Sequence, residues 1–126
     1  MQTAVVIEDS ARVREIAVGL LADLGFMAYG TGTVEDGLAK MEEVKPDLCL
    51  LDWDLPKLGA LDVLKGAAET MVPRPRTVLM ATENDPKQFT LARAAGASSY
   101  ILKPFDRRDF ARALTQAGVE LNQGAA

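Results

Sequence analysis

Short apolar runs and amphipathic stretches alternate along the chain, beginning with Ala4-Val5-Val6-Ile7, a β-branched run closed by Glu8-Asp9 that reads as a strand. Ser10 stands where a helix cap belongs, and Val13, Ile16, Ala17, Leu20, Leu21 and Leu24 then recur at helical spacing up to Gly25. Residues 26–29 read as a second strand, closed by Gly30-Thr31-Gly32. Thr33 caps the next helix, with Leu38, Met41 and Val44 on its inner face and Pro46 as its stop. Leu48-Cys49-Leu50-Leu51 is apolar at every position, as in a strand covered on both faces. A helix over 60–69 and a Pro/Arg loop over 71–76 follow, then a strand over 77–81 and a helix over 87–95 stopped by Gly96. A fifth strand over 99–102 precedes a last helix, capped by Asp106 and expected to run to about Val119.

Strands that alternate with helices in this way predict an α/β fold, a doubly wound five-stranded parallel sheet with helices on both faces. The 126 residues make one domain, expected over 1–121 with a short tail at 122–126. At 48% hydrophobic and 25% charged residues the chain can bury a core, which excludes disorder. Its apolar runs are too short to span a bilayer, so no membrane insertion is expected, and no secretory signal is visible. The lone Cys49 cannot form an internal disulfide and reads as a small core residue, and a cytoplasmic location is expected. There is no histidine, which removes Ser-His-Asp and Cys-His catalysis and histidine metal ligands. The net charge of -4 gives no nucleic-acid footprint. It is unevenly spread: residues 1–63 hold 12 acids and 5 bases, residues 64–126 hold 6 acids and 9 bases. The second half thus suits an acidic partner or a phosphorylated ligand.

In an open α/β sheet, ligands bind outside the carboxyl ends of the strands. The residues that end the apolar runs are Glu8-Asp9, Asp52, Thr82 and Lys103-Pro104, so they gather on one edge. Singly, each is an ordinary solvated strand-end group; jointly they define a site. Crowded carboxylates repel one another, and a hard divalent cation with oxygen ligands, Mg²⁺ above all, relieves that conflict. Lys103 offers a point charge for a phosphoryl oxygen and Thr82 a hydroxyl donor. An aspartate between such groups suits phosphoryl transfer, which depends on positioning and charge neutralisation.

These residues resemble the response-regulator receiver domains of two-component signalling, over the whole chain. The matching stretches are Glu8-Asp9, Asp52-Trp53-Asp54-Leu55-Pro56, Val78-Leu79-Met80-Ala81-Thr82, Ala95-Gly96-Ala97-Ser98-Ser99-Tyr100 and Lys103-Pro104-Phe105. The resemblance implies the flavodoxin-like, CheY-like topology with strand order 2-1-3-4-5. It implies that Asp52 accepts a phosphoryl group from a partner histidine kinase or histidine phosphotransfer protein. Asp9 and Asp52 would ligate Mg²⁺ by side chain, Asp54 by its backbone carbonyl, and Glu8 mainly through a water. Lys103 would bind a phosphoryl oxygen, with Lys103-Pro104 cis. Thr82 would be the switch hydroxyl, and Tyr100 the aromatic switch whose ring follows it inward.

The chain departs from the family pattern at four places. Gly59-Ala60 replaces the common Asp-Gly, so the loop after Pro56 is expected to bend differently. Glu83 replaces a residue that is often small and would restrict access to Asp52. Asp54 adds a charge two residues after the acceptor, where it would alter how water reaches the phosphoryl group. The segment from Thr82 to Lys103 is about a residue short, which affects where the fourth helix starts. The termini suggest a stand-alone receiver whose output is docking, through a surface including Arg93, Tyr100, Arg107 and Arg108. An anionic ligand such as a cyclic dinucleotide is a second occupant for those arginines. Two other functions fit parts of the pattern. Asp52-Trp53-Asp54 resembles the aspartate pair of a haloacid-dehalogenase phosphohydrolase, although here it follows the third strand. A flavodoxin-like FMN carrier fits the fold, but Glu8-Asp9 puts negative charge where a phosphate cradle is wanted.

Overall fold

The computed structural model describes residues 2–121; the tail expected at 122–126 lies outside them. Strands β1 (Thr3–Ile7), β2 (Met27–Thr31), β3 (Leu48–Asp52), β4 (Arg76–Ala81) and β5 (Ser99–Leu102) alternate with helices α1 (Ala11–Asp23), α2 (Val34–Val44), α3 (Gly59–Thr70), α4 (Pro86–Ala94) and α5 (Arg107–Gln116). All strand pairs are parallel, as the alternation of strands and helices predicts, and the order is β2-β1-β3-β4-β5, as the family resemblance implies.

Strand alternation divides the core between the two faces of the sheet. Ala4, Val6, Leu48, Leu50, Val78 and Met80 face α1 and α5, where Leu21, Phe110 and Leu114 complete one cluster. Val5, Ile7, Cys49, Leu51 and Leu79 face α2, α3 and α4, meeting Met41, Val63, Leu64 and Ala92. Every residue of β3 is buried, which accounts for its uninterrupted apolar run. Each of its leucine side chains contributes about 1.5–3 kcal/mol when fully buried. The caps read from sequence are present: Ser10 accepts from the Val13 N–H at 3.3 Å and Thr33 from the Asp36 N–H at 3.1 Å. Asp106 and Asp109 form a reciprocal capping box at the start of α5.

Several boundaries differ from the sequence reading. β2 continues through Gly30 and Thr31, because Thr31 pairs with Ile7 and its hydroxyl donates to the Val6 carbonyl at 3.0 Å. α4 starts at Pro86, with Asp85 accepting from the Lys87 N–H at 3.0 Å. α5 stops at Gln116, not Val119, because Gly118 turns the chain at φ 84°. The loop after Pro56 forms a short 3-10 turn in which Lys57 and Leu58 both take φ 59°. Gly59 itself is helical; a Cβ there would come within 2.7 Å of Val34 Cγ2, so it is needed for close packing of α3 on α2.

Candidate functional site

Glu8 and Asp9 follow β1, Asp52 ends β3, Thr82 follows β4 and Lys103 follows β5, so the parallel sheet delivers all of them to its carboxyl edge. Glu8 and Asp52 are buried at 0% and 1% exposure, while Asp9 is exposed. One oxygen from each of these three carboxyl groups lies within 4.8 Å of the others. Lys103 Nζ donates to Asp52 Oδ1 at 2.9 Å. The same nitrogen stands 2.8 Å from Glu8 Oε1, an ion pair outside hydrogen-bonding geometry. Asp52 Oδ1 also accepts from the Asp54 N–H at 2.9 Å, whereas Asp52 Oδ2 is buried with no hydrogen-bond partner. Glu8 Oε2 accepts from the Ser10 N–H at 3.0 Å, and Arg14 Nη1 donates to the Glu8 carbonyl at 2.8 Å. The Lys103–Pro104 peptide is cis, matching the expectation.

Burial sets the proton affinities here. It pushes the Glu8 carboxyl up from 4.5 to about 7, against the opposing effects of Lys103 and the Ser10 N–H. Asp9 is displaced below the usual carboxylate value, first through the Asp52 carboxyl beside it and further by Glu8 and the Lys103 charge. Burial works against the Lys103 ammonium, but Glu8 and Asp52 outweigh it and hold its value above that of an ordinary lysine. Glu8 and Asp52 therefore share one ammonium, with the Asp9 carboxyl beside them, and two buried carboxylate oxygens, Glu8 Oε1 and Asp52 Oδ2, lack a hydrogen-bond partner. An all-oxygen donor set with such orphans fits a hard cation.

The rim carries contacts that the sequence did not announce. Asp54 Oδ2 accepts from both the N–H and the Oγ1 of Thr82, each at 3.1 Å. Trp53 Nε1 donates to Gln88 Oε1 on α4 at 3.2 Å. Glu83 is exposed. Tyr100 lies apart from the acidic cluster, stacked on Phe89 with ring centroids 3.5 Å apart and planes 16° from parallel. Phe89 and Tyr100 sit on neighbouring elements, a signal the sequence did contain; Gln88 gave none. Arg93 and Tyr100 line one groove of about 400 Å³ with Pro86 and Phe89. Arg107 faces Asp23 on α1 at 3.9 Å, and Arg108 is exposed.

The fold and this acidic edge, with a lysine reaching the central aspartate, define a receiver class, and comparison with known proteins agrees. Residues 4–115 match the model of the response regulator receiver domain, and the chain belongs to that family. It is 34% identical over 104 residues to the chemotaxis protein CheY-3 of Vibrio cholerae serotype O1, covering 79% of this chain and 78% of that protein. It is 31% identical over 109 residues to the DNA-binding response regulator MtrA of Mycobacterium tuberculosis, and there spans only 46% of the longer protein. Among solved structures, CheY4 of Vibrio cholerae superposes with a TM-score of 0.85 at 20% identity, over 93% of this chain and 98% of that one. A response regulator receiver protein from Burkholderia phymatum gives 0.79 at 24%, over 97% and 99%. The chain is thus a phosphorylation-controlled signalling receiver of two-component systems, a family that interacts with histidine kinases or phosphotransfer proteins. The phosphohydrolase alternative has no support in these matches. No described helix is long and apolar enough to cross a membrane.

Proposed function

We propose that Asp52 is the phosphoacceptor, taking its phosphoryl group from a phosphohistidine on a partner histidine kinase or histidine phosphotransfer protein. The observation that carries this reading is the state of its carboxylate. Oδ1 is pinned by Lys103 and the Asp54 N–H, each at 2.9 Å, while Oδ2 is buried without a partner. In the transfer the Asp52 carboxylate attacks phosphorus, a P–O bond forms, the P–N bond breaks and the electron pair leaves with the imidazole. Lys103, already beside the acceptor, is placed to take a phosphoryl oxygen. In self-dephosphorylation water attacks phosphorus, the P–O bond to Asp52 breaks with its electron pair returning to the carboxylate, the water gives up a proton to solvent, and inorganic phosphate leaves.

Mg²⁺ is the cation we assign to Glu8, Asp9 and Asp52, with the Asp54 carbonyl as a further ligand. When bound it neutralises the crowded acids and the charge on the transferring group. The domain promotes only its own phosphorylation and dephosphorylation, and its output is protein docking in the cytoplasm. Thr82 acts as the switch hydroxyl and Tyr100 as the ring that answers it; Arg93, Tyr100, Arg107 and Arg108 belong to the partner surface. For Tyr100 to turn inward it must leave its stack on Phe89. Treatment with a small-molecule phosphodonor and Mg²⁺, followed by mapping of the modified residue, tests the assignment. Modification at Asp52 supports it; modification at another aspartate alone overturns it.

A further inference from the structure

We propose that the Asp54 side chain is a latch on Thr82 that opposes the phosphoryl-bound state; this rests on the assignment of Asp52 as acceptor. Asp54 connects both ends of the switch. Its N–H holds Asp52 Oδ1 at 2.9 Å, and its Oδ2 accepts from the N–H and the hydroxyl of Thr82, each at 3.1 Å. The Thr82 hydroxyl has a single proton to donate. It goes either to Asp54 Oδ2 or to a phosphoryl oxygen on Asp52, so the two bonds exclude each other. The resting acceptor is a carboxylate, a better partner than a neutral oxygen.

Phosphorylation acts on this latch in two ways. It offers the Thr82 proton a new acceptor, and it adds about −1.5 to −2 of charge close to the Asp54 carboxylate. The event that competes for Thr82 therefore also repels the group that holds it. Trp53, between acceptor and latch, is bonded to Gln88 in the first turns of α4, so the same short segment is joined to both the end of β4 and the helix beyond it. Release of Thr82 loosens one of these two ties. Asp54 and Thr82 are exposed, which keeps each bond weak and the equilibrium adjustable.

A negative charge near an anion site weakens anion binding without any latch, and the two explanations differ in their dependence on Thr82. The test is a double-mutant cycle on beryllofluoride affinity, a non-covalent phosphoryl mimic, measured calorimetrically with Mg²⁺ on wild type, Asp54→Ala, Thr82→Ala and the double variant. The latch predicts that Asp54→Ala tightens binding about fivefold in the wild-type background, about 1 kcal/mol, and by clearly less in the Thr82→Ala protein, where charge repulsion alone remains. Equal tightening in both backgrounds reduces Asp54 to simple repulsion and overturns the latch, as does no tightening in the wild-type background. Asp54→Asn, nearly isosteric and neutral, repeats the cycle should circular dichroism show that Asp54→Ala fails to fold. A folded wild type that takes up no beryllofluoride overturns the assignment of Asp52 and the latch with it, whereas uptake without coupling overturns the latch alone.

Discussion

Lys103 Nζ reaches across the end of β4 to lie 2.9 Å from Asp52 Oδ1, joining the ends of β5 and β3. It is the one cation within salt-bridge distance of the buried acids Glu8 and Asp52 among the described residues. Removing it leaves two buried carboxyl groups without a counter-charge. Lys103→Met is expected to destabilise the metal-free protein by roughly 3 kcal/mol at pH 8. Mg²⁺ should restore part of that loss by supplying charge to the same acids. Urea unfolding with chelator and with Mg²⁺ measures both effects.

Glu8 should give the metal-free protein an unusual pH slope. Burial raises its folded value from 4.5 to about 7, so the folded state binds the Glu8 proton more tightly than the unfolded chain. Its contribution is therefore fully present below pH 4.5 and declines as pH rises through about 7. The total change is on the order of 3 kcal/mol. Glu8→Gln, which carries no titrating proton, should flatten stability between pH 5 and 8 relative to wild type. Unfolding measured across that range in chelator is the check; an unchanged slope in Glu8→Gln contradicts the burial argument.

The strand ends were legible from sequence because a parallel sheet sends every run-terminating residue to the same edge, so Glu8, Asp52, Thr82 and Lys103 could be grouped without coordinates. What escaped notice depended on partners far away in sequence. Gly30-Thr31-Gly32 has turn composition, yet pairing with β1 draws Thr31 into β2. The hydrogen bonds from Thr82 to Asp54 and from Trp53 to Gln88 follow from loop and helix placement that local pattern does not encode. The resemblance implies that Glu8 acts through a water; its full burial and the 2.8 Å approach of Oε1 to Lys103 are features that local pattern does not encode. Only the folded sheet decides how far a side chain at its edge is desolvated.

Cation binding should stabilise the fold, since an ion that binds only the assembled site favours it by mass action, by about 2.7 kcal/mol at one hundred times its Kd. The convergence of Glu8, Asp9 and Asp52 motivates this expectation. Millimolar Mg²⁺ should raise the melting temperature of wild type and do little for Asp9→Ala. A wild-type melting temperature indifferent to Mg²⁺, or an equal rise in both proteins, contradicts the assigned ligand set.

Asparagine at position 52 keeps the shape of the acceptor and removes its nucleophilic carboxylate, while relieving repulsion among the neighbouring acids. Asp52→Asn is thus expected to fold, with stability equal to or above that of wild type. The decisive measurement is the stoichiometry of phosphoryl incorporation from a small-molecule phosphodonor with Mg²⁺, in wild type and Asp52→Asn side by side. Asp52 as acceptor predicts one phosphoryl group per wild-type chain, abolished by chelator, and none on Asp52→Asn. Incorporation at the wild-type level in folded Asp52→Asn would contradict it.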